Sequence, residues 1–174
     1  MKNKTILLIG GAGYIGTVLT EHFLALGCKV RCLDAFIYQN NTCVTPYLGN
    51  PNYTFIYGDM TSPVDMYKAT KDVTDVVLLA GMVGEPITRL YPKESEVINK
   101  HGINKCLDLL NGKGIEKVVY TSSCSNYGMR DTDTPALETD ELHATSSYAE
   151  DKINTEKYIL SMRGRADYSA TVLR

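Results

Sequence analysis

A tyrosine and a lysine stand four residues apart in Tyr148-Ala149-Glu150-Asp151-Lys152. On a helix that spacing places both side chains on one face. A free phenol, with a pKa of ~10, is a poor base at neutral pH. An ammonium beside it stabilises the phenolate, so the pair can move a proton to or from a substrate hydroxyl. The same spacing also occurs in surface Tyr–Lys pairs, so the pair needs a second feature. That feature lies upstream, where Thr121-Ser122-Ser123-Cys124-Ser125-Asn126-Tyr127-Gly128 follows a strand-like run over 117–122. If the run belongs to a parallel sheet, the hydroxyls at 122, 123 and 125 open on the ligand crevice at the carboxyl ends of the strands.

A candidate phosphate-binding element stands near the start, whose glycine spacing alone equally suits a tight strand-to-helix turn with no ligand. Residues 5–9 (T-I-L-L-I) form an apolar run that stops abruptly in glycines, and Gly10, Gly13 and Gly16 give G-x-x-G-x-x-G. A strand covered on both faces loses its polar alternation, as this one has. The glycines suit a tight turn, close approach of backbone N–H groups to a ligand, and tight helix–strand packing. The helix that follows points its partly positive N-terminus over the loop, which suits a pyrophosphate. Asp34 ends a second short strand (29–34), 24 positions after Gly10. It stands near the ~20-residue offset at which an acid meets the adenosine ribose hydroxyls. A carboxylate there repels a 2′-phosphate and favours NAD over NADP.

These groups need a frame, and the rest of the chain alternates accordingly. Val18, Leu19, Phe23, Leu24 and Leu26 recur at helical spacing before Gly27. Residues 35–52 read as irregular, 53–57 (Y-T-F-I-Y) as a third strand, and Pro63 as the opening of a short helix. Residues 75–81 (D-V-V-L-L-A-G) read as a fourth strand running into small residues, and a loop with Gly84 and Pro86 leads to Pro92. A long helix is expected over 93–110, a fifth strand over 117–122, polar irregular chain over 129–146, a helix over 148–163 and a sixth strand over 168–173. Alternation of this kind implies right-handed crossovers and an α/β, Rossmann-type doubly wound parallel sheet ordered 3-2-1-4-5-6, with helices on both faces.

Composition narrows the function classes. The 174 residues are enough for one domain, 44% hydrophobic and 22% charged, as in an ordinary globular protein. The net charge of −2 with no basic block argues against nucleic acid, and no apolar run approaches the ~20 residues of a membrane span. Lys2 and Lys4 precede a run too short for a signal peptide, so that run reads as a first strand. Five cysteines (28, 32, 43, 106, 124) without C-x-x-C, and His22, His101 and His143 without ligand spacing, suggest neither disulfide framework nor metal site. Reduced thiols and a cytoplasmic location are the expectation.

Taken in order, G-G-A-G-Y-I-G (10–16), L-D (33–34), G-D-M (58–60), L-A-G-M-V-G (79–84), Asn99, S-S-C-S-N-Y-G (122–128) and Y-A-E-D-K (148–152) carry a resemblance. The chain resembles the extended short-chain dehydrogenases/reductases, the nucleotide-sugar epimerase/dehydratase group, from Ile6 to Arg174. The resemblance implies that Gly10, Gly13, Tyr14 and Ile15, with Gly16 closing the motif, lie at the pyrophosphate of NAD. It gives Asp34 to the adenosine ribose, and Asp59 and Met60 to the border of the adenine. Leu79, Ala80 and Gly81 would line the path to the nicotinamide ribose, with Asn99 supporting that region. It implies Ser123 as the catalytic Ser/Thr, Tyr148 as acid/base, and Lys152 as holder of the nicotinamide ribose and tuner of the phenol.

Two departures shape the functional expectation. The 4,6-dehydratases of the family carry Asp-Glu directly after the catalytic Ser/Thr, where this chain has Cys124 and Ser125. Epimerisation, or hydride transfer at a sugar carbon, is therefore favoured over water elimination. The family pattern also continues beyond the sixth strand into a smaller substrate lobe, so residues 1–174 are expected to be the NAD-binding domain alone. A nucleotide-sugar is the implied partner, and a homodimer the implied assembly. The rival expectation is a non-catalytic NAD sensor or scaffold, which would have no need for Ser123, Tyr148 and Lys152 together.

Overall fold

In β1 (Thr5–Ile9) consecutive apolar side chains alternate between two cores. Leu7 and Ile9 enter one cluster and Ile6 and Leu8 the other, all at most 4% exposed. A strand apolar on both faces must lie inside a sheet covered on both sides. The computed structural model, which describes residues 4–130 and 134–174, places it there. β1 pairs in parallel with β2 (Lys29–Asp34) on one side and β4 (Asp75–Leu78) on the other. β3 (Tyr53–Tyr57) lies outside β2, and β5 (Lys117–Thr121) and β6 (Ser169–Leu173) lie beyond β4. The all-parallel order β3-β2-β1-β4-β5-β6 is the one expected from the sequence.

The helices divide between the faces. α1 (Tyr14–Ala25) brings Leu19, Phe23 and Leu24 against Ile6, Leu8, Val30 and Cys32. On the other face α2 (Pro63–Thr70), α5 (Ile103–Leu110) and α6 (Ser147–Ser161) bring Met66, Cys106, Leu107, Leu110 and Ile159 against Leu7, Ile9, Val76, Leu78 and Val118. Arg31, reaching from β2, donates to the carbonyls of Ala69 and Lys71 at the end of α2 and ties that helix to the sheet.

Several boundaries differ from the sequence expectation. The irregular 35–52 contains a 3-10 segment, Asn41–Tyr47. The fourth strand stops at Leu78 rather than at 81, because the N–H groups of Leu79 and Ala80 both donate to the Ile9 carbonyl at 2.9 Å. That bends the chain toward the β1 loop. The expected loop before Pro92 holds a helix, α3 (Glu85–Leu90), whose Pro86 sits in the first turn where a missing N–H costs nothing. The helix expected over 93–110 begins with α4 (Pro92–Ser95) and passes through a π-helical segment, Glu96–Gly102, before α5. Gly102 packs there between Thr61 and Met60, where an added Cβ would stand 3.2 and 3.3 Å from their side chains. Lys2, and 131–133 of the polar stretch, lie outside the described residues; residues 134–145 hold no helix or strand.

Gly16 packs α1 tightly onto the loop after β1: a Cβ there would stand 2.3 Å from the Gly11 carbonyl oxygen and 2.6 Å from its carbon. Backbone cannot yield as a flexible side chain can. Gly16→Ala should therefore destabilise the fold by about 3 kcal/mol, the upper end for overpacking. Thermal unfolding should show it as a fall in Tm of roughly 6–12 °C.

Candidate active site

The β1 loop is drawn into the sheet between its neighbours. Gly10 adopts φ +80°, donates its N–H to Leu33 O at 2.8 Å, and leaves so little room that a Cβ would stand 2.6 Å from the Ala80 nitrogen. Gly13 then caps α1 without any side-chain hydrogen bond, and the first turn carries no acidic residue. A Cβ at Gly13 would meet only the Gly10 carbonyl, 3.3 Å away, and Tyr14 and Ile15 are exposed. The unpaired N–H groups of a helix start are thus open to an anion with no side chain competing. This donor set fits a dinucleotide pyrophosphate.

Asp34 stands at the end of β2, where its carboxylate accepts the N–H of Ala12 at 3.0 Å and of Phe36 at 2.8 Å. The carboxylate is fixed beside the loop and still has lone pairs for ribose hydroxyls. Asp59 is exposed and accepts the Thr61 N–H at 2.7 Å. Met60 instead turns its side chain into the core against Gly102. Leu79, Ala80 and Gly81 are half-buried at the end of β4. The π segment turns Asn99 inward, where it bridges Met82: its Oδ1 accepts the Met82 N–H at 2.8 Å and its Nδ2 donates to Met82 O at 2.9 Å. A π-bulge turns a side chain off the regular helical face, and here that fixes the small-residue turn after β4.

Ser123, Tyr148 and Lys152 come together where β5 ends and α6 begins. Ser123 caps the 3-10 turn Cys124–Tyr127 by accepting the Ser125 N–H at 3.1 Å, which sets its side-chain direction. Ser146 caps α6 through the Ala149 N–H at 3.2 Å, so Tyr148 lies in the first turn. Burial holds the Tyr148 phenol above its usual pKa, and a hydrogen bond with Ser123 partly offsets this. Lys152 is buried, donates to the Thr121 carbonyl at 2.7 Å, and lies 4.7 Å from the Tyr120 ring and 5.8 Å from the Tyr148 ring. Its desolvation lowers the ammonium pKa to about 8, against the opposing charge of Glu156. Here the geometry departs from the sequence expectation. The ammonium is held to a backbone carbonyl, and the neighbour that lowers the phenol pKa is Ser123 rather than Lys152.

Ser122 does not face the crevice as the sequence reading placed it. Its hydroxyl donates to Glu156, one helical turn beyond Lys152 and 3% exposed. The same carboxylate accepts Asn126 Nδ2 at 2.7 Å and Arg174 Nε and Nη2 at 3.0 and 2.7 Å. Arg174 also donates to the Tyr127 hydroxyl at 3.2 Å and to Glu138 O at 3.0 Å. Sequence reasoning missed this buried pair. The available signal was a Tyr148–Lys152–Glu156 spacing of four and four, which continues one helix face.

An open parallel sheet with a glycine loop over its central strand defines a Rossmann-type, dinucleotide-binding fold. The profile of the NAD dependent epimerase/dehydratase family matches residues 6–174, and the chain belongs to that family. NAD, the cofactor expected from Asp34, is the cofactor of this family. The chain is similar to the UDP-glucose 4-epimerase of Lacticaseibacillus casei, 30% identical over 155 residues that cover 88% of this chain and 45% of the relative. UDP-glucose 4-epimerase 3 of Oryza sativa subsp. japonica is 30% identical over 164 residues, 88% of this chain and 43% of that one. Among solved structures, the UDP-N-acetylglucosamine 4-epimerase from Methanobrevibacter ruminantium M1 in complex with UDP-N-acetylmuramic acid superposes with a TM-score of 0.86. It is 26% identical, over 100% of this chain and 55% of that one. MoeE5 in complex with UDP-glucose and NAD gives a TM-score of 0.82 at 26% identity, over 98% and 53%. The chain spans about half the length of the curated relatives it matches.

Two outcomes follow from the buried charges. With a folded pKa of about 8 against 10.5 unfolded, Lys152 costs stability at low pH. Between those values the unfolded chain holds the proton and the folded one does not, so stability rises with pH. The difference in unfolding free energy between the parent and Lys152→Met should therefore shift in the parent's favour from pH 7.5 to 10, measured by urea denaturation. Arg174→Ala leaves the Glu156 carboxylate, with 4% of its side chain exposed, without its cation. It should cost about 3 kcal/mol, and adding Glu156→Gln should recover part of that loss in the same measurement.

Proposed function

We propose that this chain is the cofactor-binding part of an NAD-dependent nucleotide-sugar epimerase, acting on a UDP-hexose through a keto intermediate. The observation that carries the reading is the meeting of Ser123, Tyr148 and Lys152 at the carboxyl end of β5, beside the turn Leu79–Gly81 and the anion-ready start of α1. A sensor would have no need of that trio. The similar UDP-glucose 4-epimerases supply the substrate class. Asp34 supports NAD over NADP, because its fixed carboxylate repels a 2′-phosphate.

In this reading Tyr148 holds the proton at the sugar hydroxyl. Ser123, hydrogen-bonded to the phenol, keeps the donor–acceptor line between phenol and hydroxyl. Lys152, fixed by the Thr121 carbonyl, offers its remaining N–H donors to the nicotinamide ribose, and its charge stands beside the phenol ring. When bound, NAD would supply hydride acceptance and return at the sugar carbon, held by the glycine loop, Asp34 and Lys152. Epimerisation is favoured over 4,6-dehydration because the two positions after Ser123 hold Cys124 and Ser125. Neither is a carboxylate able to serve as acid or base for loss of water.

The test is product analysis by NMR after adding UDP-glucose to NAD-loaded enzyme in which this domain is accompanied by its substrate lobe; the domain alone is expected to bind NAD with little or no turnover. An epimerised sugar with no net NADH is expected. Accumulating NADH would make it a dehydrogenase, and a 4-keto-6-deoxy sugar a dehydratase. Tyr148→Phe should lower turnover by ~10²–10⁴ while leaving NAD affinity nearly unchanged, since only the hydroxyl is lost. Near-normal turnover in that variant would assign the proton transfer to another group.

A further inference from the structure

The segment after β2 does not run away over the surface. Residues 35–40 turn back across the carboxyl end of the sheet. Phe36 and Gln39 adopt left-handed backbone (φ 51° and 54°), and the Gln39 N–H donates to Phe36 O at 2.9 Å. Ile37 and Tyr38 therefore form the raised tip, 56% and 51% exposed. The base is anchored twice. The Phe36 ring stacks on Phe55 at 4.8 Å, and Asn40 Nδ2 donates to Ala12 O in the glycine loop at 2.7 Å. At the tip the Tyr38 hydroxyl accepts the N–H of Val83, beyond β4, at 3.4 Å.

The span of these contacts gives them their meaning. β1 lies between β2 and β4, so a chain leaving β2 and bonding the turn after β4 crosses the end of β1, a distance of about 10 Å. That end carries the glycine loop and the start of α1, where the pyrophosphate is expected. Non-glycine residues with positive φ cost ~1–3 kcal/mol and persist only where surrounding contacts hold them. Here two of them set the height of one bridge. Asn40 Oδ1 is also buried without a hydrogen-bond donor, a deficit that a ligand hydroxyl held against the loop would remove.

We infer that residues 35–40 form a strap over the dinucleotide crevice, hinged at Asn40 and latched by Tyr38 on Val83, which gates entry and exit of NAD. The inference rests on the cofactor part of the proposed function. The latch joins protein to protein, so breaking it is a cost common to loading and release. The anchor at Asn40 is short and half-buried, whereas the latch at Tyr38 is long and exposed. The tip is accordingly the part that lifts. An epimerase uses one nicotinamide for both hydride steps, and slow exchange suits it.

The experiment is stopped-flow with NADH as probe: association from the fluorescence gain on mixing, and dissociation by chasing the loaded protein with excess NAD. Tyr38→Phe, which removes only an exposed hydroxyl, should raise both rate constants by about 2–10-fold, the worth of one net hydrogen bond, with Kd nearly constant. Tyr38→Ala, which also removes the ring at the tip, should do so by at least the same factor. Rates unchanged in Tyr38→Phe would overturn the strap. So would a rise in dissociation alone, which marks a direct ligand contact. A parent protein that binds no NADH would overturn the cofactor reading and the strap together, whereas normal binding with rates insensitive to both variants overturns the strap only.

Discussion

The site depends on how near the β1 loop comes to the ends of β2 and β4. Gly10 donates its N–H to the Leu33 carbonyl in β2 and stands against Ala80 on the β4 side, where a Cβ would be 2.6 Å from backbone nitrogen. Any side chain there would push the two halves of the sheet apart at their carboxyl ends. Because none is present, Asp34 can reach the Ala12 N–H, and the turn after β4 can close over the same point. The crevice of an open parallel sheet lies where the strand order reverses, and in this protein that is between β1 and β4.

A second constraint operates at the other end of the crevice. α6 buries two ionised-type side chains one turn apart, Lys152 and Glu156, and each needs compensation that the helix cannot supply. Lys152 takes it from the Thr121 carbonyl and the face of Tyr120, and Glu156 from Ser122, Asn126 and Arg174. All of these partners sit on β5, on the turn after it, or at the end of β6. The compensation thus docks α6 in one register against β5, and that register brings Tyr148 to Ser123. The same electrostatic need that costs stability fixes the register of the helix.

The strap and the π segment show the same economy on the cofactor side. Each is an irregular piece of backbone held by side-chain amides, Asn40 to the glycine loop and Asn99 to the turn after β4. An asparagine side chain carries both donor and acceptor, so it can fix a turn whose own N–H and C=O have no ladder partner. Regular elements carry the site, and these amides tie down the loops between them.

The sequence by itself determined the sheet and most of its order of events. Apolar runs ending in glycine, a strand–helix alternation and the spacings Gly10–Gly16, Tyr148–Lys152 and Gly10–Asp34 are local patterns, and local patterns survive without knowledge of the fold. Their physical cause is short range: strand period, helix period and the freedom of a glycine backbone. The helix inside the loop before Pro92 and the π segment were decided by packing instead, since Pro86 reads as a breaker until its place in a first turn is known, and the backbone of Met82 that Asn99 binds is met only in the folded chain. The direction of Ser122 was likewise settled by Glu156, 34 residues later, and the role of Arg174 by a partner 18 residues earlier. Tyr38 reads as a loop residue like its neighbours; only the order β2-β1-β4 makes its contact with Val83 a crossing. Burial and charge compensation act between residues distant in sequence, so the tertiary structure alone decides them.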